Sequence, residues 1–157
     1  MDSTMHIGTF RSGPFGGQVG WVAEALTVDA YDDQRIESPE AAAEVVVPAL
    51  ANRDREAALL VTLTTKHAVI ATHIVSVGSI DHTFMSPREI LRLALLDNAA
   101  AIIVAHNHPS GDGGESGDDR TVTRRIDQAA EMVGVDLLDH IVVAGYGWTS
   151  LARKGVI

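Results

Sequence analysis

Apolar and polar residues fall into clear periods from Ser38 onward, and into few before it. Ser38-Pro39-Glu40 places an N-cap hydroxyl, a proline at the first helical position and an acid in the first turn ahead of the helix-favouring stretch Ala41–Val47. This predicts a helix that Pro48 ends or kinks. Ala57–Leu63 and Ala68–Val77 are apolar, β-branched runs split by the polar Thr64-Thr65-Lys66-His67, and read as two adjacent antiparallel strands. Ser86 and Glu89 match a capping box, and Ile90, Leu91, Ala94 and Leu95 follow at helical spacing. Ala101–Ala105 is wholly apolar, as in a strand buried on both faces, and it empties into the polar segment His106–Asp119. Val122, Ile126, Ala129, Ala130 and Val133 then mark one face of a helix, with Gly134 placed as its C′ residue. Leu137–Ala144, a Gly145-Tyr146-Gly147 turn and Trp148–Leu151 form a closing hairpin. The order predicts a mixed sheet of five or six strands flanked by helices.

Upstream of Ser38 the pattern dissolves. The first 20 residues contain five glycines and Pro14, which are costly to order in regular elements, and only Val19–Tyr31 shows enough alternation for one short strand. Residues 1–37 therefore read as a Gly-rich arm and residues 38–157 as the domain, in keeping with a length of 157 residues. The longest apolar run, Ala99–Ala105, is far shorter than the roughly 20 residues a membrane span needs. The N-terminus has no apolar targeting core, so a cytoplasmic location is expected.

Composition narrows the chemistry. The absence of cysteine excludes disulfides, thiol nucleophiles and every Cys-containing zinc site, so any metal must sit on His, Asp and Glu. A formal net charge of −9 repels phosphate backbones unless basic residues cluster on one face. Arg120, Arg124 and Arg125 are the nearest to such a cluster, but the acids at 118, 119, 127 and 131 make a charge-paired, solvated face the better reading.

The segment from His106 to Asp119 concentrates the candidate chemistry. Two histidines two apart on extended backbone point to one side, roughly 6.5 Å apart at Cβ, close enough for both imidazoles to reach one cation. Asp119 lies on the inward stripe of the following helix, at its N-terminus, and could supply a third ligand. The plain alternative is two exposed histidines in a polar loop and an ordinary Ser116–Asp119 capping box. Convergence of same-side histidines, an inward carboxylate and a glycine-rich loop favours the metal site. A β-lactamase-type site needs an acid where Ser110 stands, and an amidohydrolase needs a barrel of roughly 250 residues. His6, His67, His73 and His82 have no partner at ligand spacing, and His140 reads as a structural hydrogen-bonding residue rather than a catalytic one.

His106-x-His108-Pro109-x6-Ser116-x2-Asp119 resembles, residue for residue, the JAMM signature of the JAB/MPN metalloproteases, and HNHPSGD is typical of their RadC-like branch. Ser38-Pro39-Glu40, Arg55-Glu56, Val75–Ser79, Pro87–Ile90 and Leu137–His140 are similar to RadC-family blocks in the same order. The resemblance implies an α/β (α+β) fold of JAB/MPN, cytidine deaminase-like architecture, with a mixed, mostly antiparallel sheet. It implies His106, His108 and Asp119 as zinc ligands, Ser116 as a hydrogen-bond donor to the oxyanion, and Glu56 as general base; were Glu56 not the base, Glu115 in the motif loop would be the first to test. The implied activity is zinc-dependent hydrolysis of a peptide or isopeptide bond, with a peptide or a ubiquitin-like protein as the implied partner.

Three departures from the family pattern stand out. Glu115 replaces a usual proline, which loosens the loop and adds an acid near the site. Ser86 replaces a usual histidine. Residues 1–37 do not resemble the helix-hairpin-helix module with which full-length relatives begin. A DNA-repair or anti-restriction accessory role and an inert MPN scaffold are the competing functions. Charge disfavours the first, and the complete ligand set disfavours the second.

Overall fold

The computed structural model describes residues 34–78 and 85–157. The Gly-rich arm up to residue 33, the short strand expected within it, and His6 and His82 lie outside the described residues. Eight elements follow in chain order: α1 (Pro39–Leu50), β1 (Ala57–Leu63), β2 (Val69–Val77), α2 (Pro87–Leu96), β3 (Ala101–Asn107), α3 (Gly117–Met132), β4 (Asp136–Ala144) and β5 (Gly147–Ser150). The strands form one sheet of order β2-β1-β3-β4-β5, antiparallel except where β4 runs parallel to β3. A parallel neighbour demands a crossover, and α3 supplies it. The predicted β1–β2 pair and terminal hairpin are both present.

Strand alternation divides the core in two. Leu59, Val61 and Leu63 of β1, with Ala101, Ile103 and Ala105 of β3, pack on one face with Ala42, Val45, Val46 and Leu50 of α1. Ala58, Leu60, Ile102 and Val104 point the other way, against Ile90, Leu93 and Ala94 of α2 and Ile126 and Ala130 of α3. β1 and β3 are buried along their whole length, which explains why neither shows a polar face in the sequence. The alternation also places the functional end of β3. Continuing the step of two from Ile102 and Val104 puts His106 on the α3 side, while Asn107 faces the other way.

Local chemistry departs from expectation at three helix features. α1 has its Ser38 cap, with the side chain accepting from the Ala41 N–H at 3.2 Å, but it runs through Pro48 to Leu50. Pro48 and Glu44, whose carbonyl loses its partner there, are both on the exposed face, where water can satisfy it. The capping box expected at α2 does not form: the Glu89 N–H donates to the Ser86 carbonyl, and the Glu89 carboxylate pairs with Arg92 at 3.1 Å instead. In α3 the buried residues are Asp119, Thr123, Ile126 and Ala130, whereas Val133 is 45% exposed at the C-cap. The inward stripe is thus rotated from the apolar one and carries two polar residues. Gly134 occupies the C′ position with φ 74°, a backbone angle that favours glycine.

Candidate metal centre

The centre lies where the end of β3 meets the start of α3. His106 is the penultimate residue of β3, and the His108 N–H donates to the Val143 carbonyl at 2.8 Å, extending the parallel pairing beyond the strand. This keeps the backbone extended between the two histidines, so both rings lie on the α3 side. Gly111, at φ 80°, then allows the turn that closes on the His108 carbonyl. Across the gap, Ser116 caps α3. Its side chain accepts from the Asp119 N–H at 3.0 Å, and Asp119 Oδ2 accepts from the Ser116 N–H at 2.6 Å and its hydroxyl at 2.8 Å. The plain capping-box reading and the ligand reading of Asp119 therefore hold together, because the cap directs Asp119 Oδ1 toward the histidines.

One ligand atom each from His106, His108 and Asp119 lies within 4.8 Å of the other two. His106 Nε2 is 3.0 Å from His108 Nε2 and 3.1 Å from Asp119 Oδ1, and His108 Nε2 is 3.6 Å from Asp119 Oδ2. The other ring nitrogen of His108 contacts the Asp112 carbonyl at 2.8 Å. A carbonyl only accepts, so His108 Nδ1 carries a proton, which leaves Nε2 as the nitrogen this ring can offer to a cation. A carboxylate and two imidazole nitrogens converging in a largely buried space suit a cation, and two nitrogens with one oxygen match the preferences of zinc. Burial alone would raise the Asp119 carboxyl, but hydrogen bonding and charge from His106 and the two Ser116 donors outweigh it and hold it below the ordinary carboxylate range.

Glu56 lies just before β1. β1 and β3 pair with Ala58 opposite His106, and continuing that antiparallel register brings Glu56 opposite His108 on the same face. Glu56 lines the same cleft, of about 740 Å³, as His108, Ser116 and Asp119. Asn107 anchors the segment. Its Oδ1 accepts from the Ala57 N–H at 2.8 Å, its amide donates to the Arg55 carbonyl at 3.1 Å, and the Gly78 N–H donates to the Glu56 carbonyl at 2.8 Å. The residue between the two histidines thus secures the backbone around Glu56.

Glu115 also lines the cleft, but it is not free. Lys154 and Arg120 both bind its carboxylate, and with its own backbone they lower its pKa to about 2. The acid in place of the expected proline therefore ties the loop to α3 and to the C-terminal turn rather than loosening it. It is a poor candidate for a base. Arg120 finds its partner in this upstream acid and not among residues 118, 119, 127 and 131, while Arg124 and Arg125 are exposed. His73 on β2 is paired with Asp97 at 2.6 Å, as a satisfied strand residue, and His67 occupies a turn at φ 58°.

Sequence reading missed Thr123 as a contributor to the centre, and gave His140 a structural hydrogen-bonding role without its partners. His140 of β4 is fully buried, with Nε2 2.8 Å from His106 Nδ1 and Nδ1 2.6 Å from Thr123 Oγ1. Burial, reinforced by the neighbouring His106, holds its pKa well below the usual imidazole value, so the ring is neutral. Thr123 follows Asp119 by one helical turn on the inward stripe, a spacing that could have flagged it.

A family model described as a RadC-like JAB domain matches residues 36–156. The UPF0758 protein of Desulforamulus reducens is 39% identical over 122 residues, covering 78% of this chain and 54% of that protein. Its counterpart in Clostridium acetobutylicum is 36% identical over 128 residues, covering 82% and 56%. That of Desulforudis audaxviator is 40% identical over 121 residues, covering 77% and 53%. The chain thus spans about half the length of the curated relatives it matches. With the family model covering most of its length, and with a mixed sheet and its crossover helix bringing two histidines and an aspartate together, the chain belongs to the RadC-like JAB domain family.

Proposed function

We propose that the domain is a zinc-dependent hydrolase of the JAMM type that cuts a peptide or isopeptide bond. The observation that carries this reading is the convergence of His106, His108 and Asp119, the last two on the cleft that Glu56 also lines. Those three residues would bind the metal, which supplies Lewis acidity, polarising a carbonyl and lowering the pKa of water toward about 7. Glu56, backed by the Asn107 clamp, takes the proton of the attacking water and later delivers it to the leaving amine. The Ser116 hydroxyl, which donates to Asp119 Oδ2, lies in the cleft and turns to the oxyanion as charge develops there.

Two measurements test this. Metal analysis should find about one zinc per chain, lost in His106→Ala and in His108→Ala, since tetrahedral zinc takes three protein ligands and leaves a position open. Wild-type zinc content in the double variant would remove these residues as ligands. Against a panel of peptide and isopeptide substrates, Glu56→Gln should keep its zinc and melting temperature while turnover falls by roughly 10²–10⁴. Undiminished turnover in a folded, zinc-loaded Glu56→Gln protein would take Glu56 out of the mechanism.

A further inference from the structure

We infer that Thr123 and His140 are positioning residues that fix the tautomer of His106, so that its Nε2 lone pair faces the metal centre. The inference rests on the zinc reading above, but its logic lies in the hydrogen-bond chain. Thr123 Oγ1 is 2.5 Å from the Asp119 carbonyl and 2.6 Å from His140 Nδ1. Two oxygens at 2.5 Å need a proton between them, and the carbonyl has none to give. The hydroxyl therefore donates to Asp119. Its only proton is then spent, and toward His140 it can only accept.

The rest follows link by link. His140 Nδ1 must carry the ring proton, which leaves Nε2 as an acceptor. That nitrogen is 2.8 Å from His106 Nδ1, so His106 must donate from Nδ1. A proton held on Nδ1 leaves Nε2 as the nitrogen that His106 can offer to a metal, and it is this atom that lies 3.0 Å from His108 Nε2 and 3.1 Å from Asp119 Oδ1. Every member of the chain is buried, so no water is at hand to substitute for a missing partner. The chain begins and ends on the same ligand, because the carbonyl that sets the Thr123 hydroxyl belongs to Asp119. α3 thus supplies one metal ligand directly and orients another through β4.

The reversed arrangement is the competitor. Without the threonine hydroxyl, a neutral His140 has no acceptor at Nδ1 and does better with its proton on Nε2, donating to His106 Nδ1. His106 would then carry its own proton on Nε2, toward Asp119, and a metal could bind only by reversing both rings. Thr123→Val should therefore weaken zinc affinity about 10–100-fold, the usual cost of losing a partner behind a metal ligand. Thr123→Ser keeps the hydroxyl and should bind zinc as wild type does.

The experiment uses the full chain and zinc itself, with affinity measured by competition against a chromophoric chelator. Imidazole proton positions are read from long-range proton–nitrogen NMR correlations. Wild type should show the His140 proton on Nδ1 both with and without zinc, and metal-free Thr123→Val should show it on Nε2. A wild-type His140 protonated at Nε2 overturns the inference without recourse to any variant, as does a folded Thr123→Val protein that binds zinc as tightly as Thr123→Ser. If wild type binds no zinc, the hydrolase reading fails on its own, and the His140 proton in the metal-free protein still decides the chain.

Discussion

Each histidine of the centre has one ring nitrogen facing the cleft and the other committed elsewhere, to the Asp112 carbonyl for His108 and to His140 for His106. Asn107, between them, points to the opposite side and does a separate job. It satisfies the Ala57 N–H and the Arg55 carbonyl, which bracket Glu56. Asn107→Ala leaves the buried Ala57 N–H without this partner and removes a donor from the part-buried Arg55 carbonyl, and should cost about 1–3 kcal/mol of stability in denaturant unfolding. Its sharper signature is functional: zinc content unchanged, turnover reduced as the backbone around Glu56 loosens. Loss of zinc in parallel with turnover would show instead that Asn107 acts on the ligands. At this scale the sequence disclosed the residues that bear a motif, since two histidines two apart and an aspartate opening a helix are visible as spacing. It did not disclose Asn107, Thr123 or His140 as their supports. Those roles depend on partners 50, 4 and 34 residues away, and for two of the three nothing local marks the pairing.

At the scale of elements, apolar runs were legible and polar devices only in part: the Ser38 cap and the Ser116–Asp119 box form as read, and the Ser86 box does not. β1 and β3 follow from short apolar runs that are buried on both faces, and the terminal hairpin from the Gly145-Tyr146-Gly147 turn between Leu137–Ala144 and Trp148–Leu151. Ser86 and Glu89 have the residue types of a capping box, yet the backbone carbonyl of Ser86 takes the N–H and Arg92 takes the carboxylate. In α3 an apolar count favours Val133, whereas the centre requires Asp119 and Thr123 inside, and this rotates the buried stripe. The loop between β3 and α3 was misjudged for a related reason. Glu115 is restrained by Lys154, which is distant in sequence, and by Arg120. Its pKa lies at about 2 against an ordinary 4.5, so the stability it contributes is fully present above pH 4.5 and is lost as pH falls toward 2. Glu115→Gln should therefore melt below wild type at neutral pH, with the difference shrinking through that window. A difference in melting temperature that does not change between pH 7 and pH 2 would mean the carboxylate charge is not what ties the loop.

Over the whole molecule, the sheet separates α1 from α2 and α3, and the cleft opens on the side of the latter pair. Asp54, Glu56, Asp112, Glu115, Asp118 and Asp119 all line that cleft, no Lys or Arg among the described residues does, and Arg120 and Lys154 are engaged by Glu115. A chain with net charge −9 and an acidic cleft presents a field that repels polyphosphate, and the exposed Arg124 and Arg125 are too few to reverse it. No described helix is long and apolar enough to cross a membrane. These features bear on the DNA-associated role that competes with hydrolysis. Affinity for duplex DNA rises with the number of phosphates neutralised, and each neutralised phosphate adds to the slope of binding against salt. With no basic stripe among the described residues, the slope should be shallow and binding at physiological salt weak. In a gel-shift titration of this chain, we expect a dissociation constant above roughly 10⁻⁶ M, the non-specific range, with no preference among duplex sequences. Loading zinc adds positive charge inside the cleft but does not create an extended basic surface, so it should shift this little. Sub-micromolar, salt-steep binding by the chain alone would reverse the ranking and make nucleic acid, rather than a peptide carbonyl, the first substrate class to pursue at the His106, His108 and Asp119 centre.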